Sequence, residues 1–432
     1  MVNKSKLFLC FSSIFLGFYF FSLSESVDNI FLTMTTLLFL YSIMMLVIDE
    51  DIVNPLSMLF PFVLGVYYYQ FMLSTRQQEL ELNTIYALSL FIASYIMGVL
   101  FILLNKKGIL KHKINSHRVT SVLMIDVFFM FGLIIFLVEC TLTGGFPFFI
   151  ALIHKVNVYE DMYYVPILHY FVMLTALFPS IYYSVYKSGR ISRLKLITVV
   201  LMSVFVLLNI MSRQIFILSI VFMFFTFAKV NKINTNKYII KVAIFASCMF
   251  LLLGFVRIQS INNSVSQLDY LKAYADVPSK RDVNTFDVTY NLYTSQNLVT
   301  LNDMVDSIDN AGFGYGKYLT QNFLKTFKYD QAFNIEYLSQ YDSFTRLGTI
   351  VADPYLDFGL AGVIVFGFLY GFLNSICFLK SKHSDSIRYT YFWAVLCYIM
   401  LMSVFTNFYN VLFSWLVFLF IYFITLKAKS KA

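Results

Sequence analysis

Charged residues are scarce in this chain. Asp, Glu, Lys and Arg make up 13% of its 432 residues, whereas a soluble domain carries about 25%. Hydrophobic residues account for 59% and the mean hydropathy is +0.73, so most side chains must meet lipid or other helices, and a water-soluble fold is excluded. Paired cysteine spacing is missing as well. Cys10, Cys140, Cys248, Cys377 and Cys397 all lie inside or at the ends of apolar runs, where they read as small apolar residues, neither a disulfide frame nor a metal site. No HExxH, CxxC, P-loop or DxD signature occurs, and no pair among His112, His117, His154, His169 and His383 has metal-ligand spacing. No metal and no cofactor is therefore expected. Lys4 and Lys6 precede an apolar run over 7–23 that lacks a small-residue cleavage site, so this run reads as a first membrane helix. Internal repeats and inverted symmetry between the halves, a mark of many secondary transporters, are also lacking.

What the chain has instead is a succession of apolar runs of about 17 to 25 residues, each long enough to cross a hydrocarbon core about 30 Å thick at 1.5 Å per residue. The runs place about twelve helices at 7–23, 30–48, 55–73, 83–104, 119–142, 165–186, 194–211, 213–228, 238–256, 358–379, 389–406 and 409–426. The formal charge of +8 is not a nucleic-acid signal, because the basic residues cluster between these runs. The clusters are Lys4 and Lys6; Lys106 to Arg118; Lys187 to Lys195; Lys229 to Lys241; Lys380 to Arg388; and Lys427 to Lys431. All fall on one side if every run spans once, and the opposite short loops hold only Arg76, Lys155 and Arg213. By the positive-inside rule both termini then face the cytoplasm.

Between Arg257 and Asp357 the hydropathy collapses for about a hundred residues, too long for a connector. The alternation puts this stretch outside. Its Tyr-rich, mixed-charge composition argues against disorder and for a cap of short helices. The organisation read from sequence is thus membrane helices over 1–256, a large extracytoplasmic loop over 257–357, and membrane helices over 358–432.

Three arginines sit at outer helix ends: Arg213 in Ser212-Arg213-Gln214, Arg257 closing the ninth run, and Arg346 before the tenth. A guanidinium fork at a membrane surface clamps phosphate oxygens bidentately. The plainer alternative is snorkelling at helix ends, which a tight outer turn such as that at Arg213 gives little reason for. Gly144-Gly145-Phe146-Pro147 reads as a sharp structural turn. Asp353 and Asp357 stand at i and i+4 ahead of the tenth run. Asp357 reads as a cap. Asp353 is either a cap or salt-bridge residue, or a carboxylate at the membrane mouth able to take a proton from a sugar hydroxyl.

With these features the chain resembles the Wzy-type oligosaccharide repeat-unit polymerases of O-antigen and capsule synthesis. The likeness covers the whole hydropathy profile. Locally it rests on Gly144-Gly145-Phe146-Pro147, Ser212-Arg213-Gln214, Gly254-Phe255-Val256-Arg257 and the segment Asp353 to Gly362. The resemblance implies a GT-C-like, all-α membrane fold in the bacterial inner membrane. It also implies a metal-independent inverting glycosyl transfer between undecaprenyl-diphosphate-linked oligosaccharides at the periplasmic face, with a chain-length regulator as a possible partner. Arg213 and Arg257 match positions that would hold the diphosphate, and Asp353 and Arg346 become the catalytic candidates. Related O-antigen ligases carry a histidine in the large loop, and residues 257–357 contain none, so the ligase reading is weaker. A flippase of lipid-linked sugar is the other alternative; it would need charges near the bilayer midplane, where Asp126 and Glu139 are the candidates.

Overall fold

The structure, a computed structural model, describes residues 53–69, 74–75, 79–111, 117–119, 121–154, 163–259, 266–333, 335 and 348–427. The first two expected membrane helices, over 7–23 and 30–48, lie outside the described residues, as do Arg76, Lys155 and Arg346. Helices dominate. They are α1 (Phe60–Tyr68), α2 (Leu82–Leu104), α3 (Lys106–Lys111), α4 (Val122–Thr143), α5 (Pro147–His154), α6 (His169–Leu174), α7 (Phe178–Lys187), α8 (Arg193–Ile210), α9 (Arg213–Asn231) and α10 (Ile239–Gln259). There follow α11 (Gln267–Tyr274), α12 (Thr285–Tyr293), α13 (Ser295–Ala311), α14 (Gln321–Thr326) and α15 (Tyr329–Ala332), and then α16 (Ala352–His383), α17 (Ile387–Leu401) and α18 (Leu412–Ile424). One short antiparallel ladder pairs β1 (His117–Val119) with β2 (Thr425–Lys427).

Among the described residues, five stretches are long and apolar enough to cross a membrane: Leu82–Leu104, Val122–Ile153 (α4 with α5), Arg193–Ile210, Arg213–Asn231 and Ala352–His383. Their apolar faces support that reading. On α4 the exposed Leu123, Val127, Met130, Ile134 and Leu137 recur every three or four residues, a continuous stripe suited to lipid. The opposite face buries Ile125, Phe129, Ile135 and Phe136. The protein is therefore a helical membrane protein.

By spatial contact the described chain forms two units. The first comprises the described residues up to His112, with Leu268–Leu379 and Ile399–Leu412; the second comprises those of Lys113–Gln267, with Lys380–Tyr398 and Phe413–Ala432. From Leu268 the large-loop residues belong to the first unit.

In the second unit the basic segments gather at one end. The β1–β2 ladder joins the stretch before α4 to the end of α18. Lys195 Nζ meets Asp126 Oδ2, near the start of α4, at 2.6 Å. Lys229 Nζ donates to the carbonyls of Ser381 and Ser384 at 2.7 and 2.6 Å, and Arg388 donates to Thr425 and to the carbonyl of Tyr422. The opposite end holds Glu139, whose carboxylate accepts from Val165 N at 3.0 Å and contacts His169 Nδ1 at 2.9 Å. There too Asn209 Oδ1 accepts from Phe148 N. This separation of charge is what the positive-inside pattern requires of these helices.

In the first unit the loop helices pack onto the apolar ones. The Tyr68 and Tyr290 rings meet edge-on at 4.7 Å, Asn302 Oδ1 accepts from Glu81 N at 2.8 Å, and Asp276 O accepts from Thr75 N. Burial, aided by the neighbouring Tyr68 phenol, pushes the Tyr290 hydroxyl up to about 12. It therefore stays a neutral phenol. The shaft of α16 lies directly on α2. A Cβ at Gly98 would come within 2.2 Å of Phe368 O, one at Gly367 within 2.2 Å of Ser94 Oγ, and one at Gly371 within 2.1 Å of Tyr95 O. The spacing Gly367-x-x-x-Gly371 is the small-residue arrangement that lets membrane helices touch backbone to backbone.

The arrangement of ends is open to a labelling test in a chain whose five cysteines have been replaced. The exposed loop position Lys280 is expected to react as Lys280→Cys with an impermeant thiol reagent applied from outside. Lys187→Cys, exposed at the end of α7, should react only after the membrane is permeabilised. The reverse pattern would overturn the sidedness.

Candidate active site

Asp353 stands in the first turn of α16, and the way that helix begins decides what the carboxylate can do. At Gly359 the backbone takes φ 61° and ψ −149° inside what is otherwise continuous helix, a conformation that only glycine adopts readily. The chain folds back there. Gly362 lies against the carbonyl of Pro354, eight residues earlier, so closely that a Cβ on it would come within 2.2 Å of that oxygen. In a straight helix the two would be about 10 Å apart along the axis. α16 is thus an arm, 352–358, bent against a longer shaft, 360–383.

Asp357 locks the bend. It is fully buried. Its Oδ1 accepts from Tyr318 N at 3.0 Å and its Oδ2 from Leu319 N at 2.7 Å. Gly314 N and Tyr315 N donate to the carbonyls of Leu356 and Asp357, and the Phe313 ring closes over Gly359. The expected capping role holds in kind, but the amides that Asp357 caps belong to the loop forty residues away, not to its own helix.

Asp353 has different partners. Its Oδ2 accepts from Asn407 Nδ2 and from Asn410 Nδ2, each at 3.0 Å, while Oδ1 has no hydrogen-bond partner among the described residues. The carboxylate is half-buried. It neither caps its helix nor sits in a salt bridge among the described residues. Asn410 Nδ2 also donates to Tyr318 O at 2.7 Å, which ties this cluster to the segment that Asp357 holds.

Asn407 and Asn410 come from the junction of two expected helices, 389–406 and 409–426, with Asn407 in the two-residue gap and Asn410 inside the second. The helices are shorter: α17 stops at Leu401, α18 starts at Leu412, and 402–411 is a string of turns. The cause is local. Asn407 Oδ1 accepts from Tyr409 N, Asn410 N donates to Asn407 O, and Ser403 Oγ bonds back to Met400 O, so short polar side chains supply the backbone with partners outside a helix. At 15 and 13 residues, α17 and α18 are about 22 and 20 Å long, short of a core about 30 Å thick. Irregular backbone at such depth is tolerated where protein covers it, and here it is covered. Asn407 is buried, Tyr409 stacks on Tyr370 at 4.0 Å, and Tyr409 Oη donates to Asn374 Oδ1, whose Nδ2 reaches Tyr95 Oη. The sequence signal for this feature was Thr-Asn-Phe-Tyr-Asn between two apolar runs.

Arg213 opens α9, and its guanidinium lies 5.1 Å from the centre of the Phe250 ring on α10, a cation–π contact. Arg257 lies on α10, seven residues beyond Phe250. The two candidate phosphate-binding positions therefore belong to neighbouring helices, α9 and α10. Asp353, Asn407 and Asn410 form the other group. Gly144 and Gly145 make the expected turn, with φ 88° and 148° and Gly145 N bonded to Cys140 O at 2.8 Å, the hydrogen bond of a glycine-capped helix end. No three His, Cys, Asp or Glu side chains among the described residues could hold a metal. No family model, no curated protein and no solved structure matches the chain.

The two aspartates should separate by mutation. Asp357→Asn turns an acceptor into an amide facing backbone N–H groups, at a cost of roughly 1–3 kcal/mol, and is expected to lower the thermal midpoint of the detergent-solubilised protein. Asp353→Asn keeps an acceptor for both asparagines and should leave that midpoint near the parent's. Equal losses would show that Asp353 is as structural as Asp357. Gly362→Ala, which forces a methyl onto Pro354 O, should cost about 1–3 kcal/mol by overpacking in the same measurement.

Proposed function

We propose that this chain polymerises lipid-diphosphate-linked oligosaccharide repeat units into a surface polysaccharide, as an inverting membrane glycosyltransferase that needs no metal. In this reading it is an inner-membrane enzyme of about twelve spans with both termini in the cytoplasm, its large loop periplasmic and its fold GT-C-like. The observation that carries it is Asp353: a half-buried carboxylate at the join of loop helices and membrane shaft, one oxygen fixed by two asparagine amides and the other without a partner among the described residues.

The chemistry requires a hydroxyl of the acceptor sugar to attack the anomeric carbon of the donor. The new C–O bond forms as the bond from that carbon to the diphosphate oxygen breaks, and the electron pair leaves with the undecaprenyl diphosphate. The hydroxyl proton goes to Asp353, which needs to sit within about 3 Å of it. Fixing Oδ2 with two neutral amides orients the carboxylate without neutralising it, so Oδ1 remains a base. Arg213 and Arg257 are the groups proposed to hold the diphosphate, where charge develops on the leaving group, and Arg346 is the remaining catalytic candidate. The large loop supplies no histidine and its half-buried Tyr290 is held neutral, which favours a carboxylate as base.

A flippase is less well supported. Asp126 lies near the start of α4 and pairs with Lys195 and Tyr182, and Glu139 lies near its end and pairs with His169. Neither is at mid-helix, and both serve to fasten neighbouring segments.

The reading is tested by glycan length. In membranes given lipid-linked repeat units, Asp353→Asn at normal abundance should reduce polymerisation by about 100-fold or more, the usual worth of a positioned base. Arg213→Lys, which keeps charge but loses the fork, should also shorten the products. Deleting the gene should leave single-repeat glycan on the cell surface. Wild-type chain lengths from Asp353→Asn would remove it as the base, and unchanged surface glycan in the deletion strain would remove the polymerase reading altogether.

A further inference from the structure

We infer that residues 313–333, together with the bend of α16, form an aromatic collar seated in the headgroup layer of the membrane that the shaft crosses, with its lysines placed against anionic lipid. The inference does not depend on the glycosyl transfer proposed above.

The collar is unusual for a segment so polar in overall composition. Tyr315 is 79% exposed and Phe333 72% exposed, and Phe313, Phe323, Phe327 and Tyr329 are exposed as well. These rings do not scatter. Phe323 and Phe327 lie 4.7 Å apart, Phe327 and Tyr329 6.4 Å, and Tyr329 and Phe333 6.3 Å, a patch of a kind that soluble surfaces rarely present. Lys317, Lys325 and Lys328 are interleaved with the rings, and aromatic rings alternating with cations is the chemistry of an interfacial surface.

The fold sets the depth of this patch. Asp357 grips the amides of Tyr318 and Leu319, Tyr315 lies edge-on to the exposed Phe358 at 6.5 Å, and Asn322 Nδ2 reaches Asn410 O at 3.5 Å. The patch is thereby fixed at the Gly359 bend. From that bend the shaft runs to His383, about 36 Å of helix, enough to cross the hydrocarbon core with one turn to spare. Exposed Ile364, Val365 and Leu369 on the shaft continue the apolar surface downward from the collar. The bend thus stands at the edge of the hydrocarbon, and so do the rings fastened to it. Water would leave the rings exposed, whereas the headgroup layer accommodates aromatic rings interleaved with cations.

The test uses the full-length protein in lipid nanodiscs, with the variants Phe333→Trp and Tyr315→Trp compared with the parent and its native Trp393 and Trp415. Both positions are exposed, so neither change touches the core. Phosphatidylcholine brominated near the headgroup should cut the added emission by about twofold, and more than lipid brominated near the chain ends, as expected of an interfacial ring. Moving from neutral to phosphatidylglycerol discs should shift that emission to the blue. The triple change Lys317→Gln, Lys325→Gln and Lys328→Gln should abolish the shift and spare the quenching. Added emission indifferent to both brominated lipids would place the collar in water and overturn the inference. Protection that appears only when two copies share a disc would assign it to a second chain, and would overturn it equally.

Discussion

A buried carboxylate that accepts two backbone amides from a distant part of the chain is the constraint on which the rest of the first unit hangs. Asp357 is fully buried with no cation beside it among the described residues, and its carboxylate accepts from the amides of Tyr318 and Leu319. Charge-assisted bonds of this kind are roughly twice as strong as neutral ones, and breaking them would leave a carboxylate in an apolar setting. The carboxylate cannot easily let go. The loop segment it holds therefore stays on the bend, the bend stays folded at Gly359, and Asp353, one helical turn earlier, is brought to the asparagines of the 402–411 link instead of continuing a straight helix away from them.

The same logic explains why so much of this membrane protein's polar chemistry is uncharged. Asn374, Tyr95, Tyr409 and Asn407 run inward from the Asp353 cluster as amide and phenol pairs, each donor finding an acceptor. Neutral pairs can be buried at modest cost when fully satisfied, whereas ions cannot. The backbone-close contact of α2 with the shaft of α16 adds packing where lipid supplies no hydrophobic drive. A rigid surround of this sort suits a base that must be oriented, since a carboxylate on a mobile segment would spend its time in unproductive poses.

The two acids drawn inside apolar runs show how differently a charge can be spent. Asp126 is tied to Lys195 and to the Tyr182 hydroxyl, and Glu139 to His169 and the Val165 amide. Each fastens a helix end to the next segment. Asp353 fastens nothing comparable, because its two amide donors lie on a link already fixed by Tyr318 and by the stacking of Tyr409 on Tyr370. That difference is the physical ground for separating it from the structural acids.

What the sequence alone determined is whatever depends on the solvent. Apolar runs of membrane length, basic residues collected in alternate connections and a long polar insertion specify helices across a bilayer, because lipid tolerates no unpaired backbone and few charges. The glycine turn at 144–145 was legible too, since it follows from short-range backbone chemistry, whereas Asp357, read as a cap of its own helix, accepts instead from the distant amides of Tyr318 and Leu319. Whether Asp353 was a cap or a free carboxylate could not be read. The answer lay in Asn407 and Asn410, more than fifty residues on, in a ten-residue link of which hydropathy alone leaves only 407–408 outside helix, since Val, Phe and Tyr around those asparagines keep the average apolar. Nor could the polar loop be read as part of the membrane unit. Its Asn291 and Gln296 are buried by packing that composition does not encode. Helix formation is a local matter and membrane insertion a matter of averages, whereas the orientation of one carboxyl oxygen depends on which distant residues the tertiary fold brings beside it.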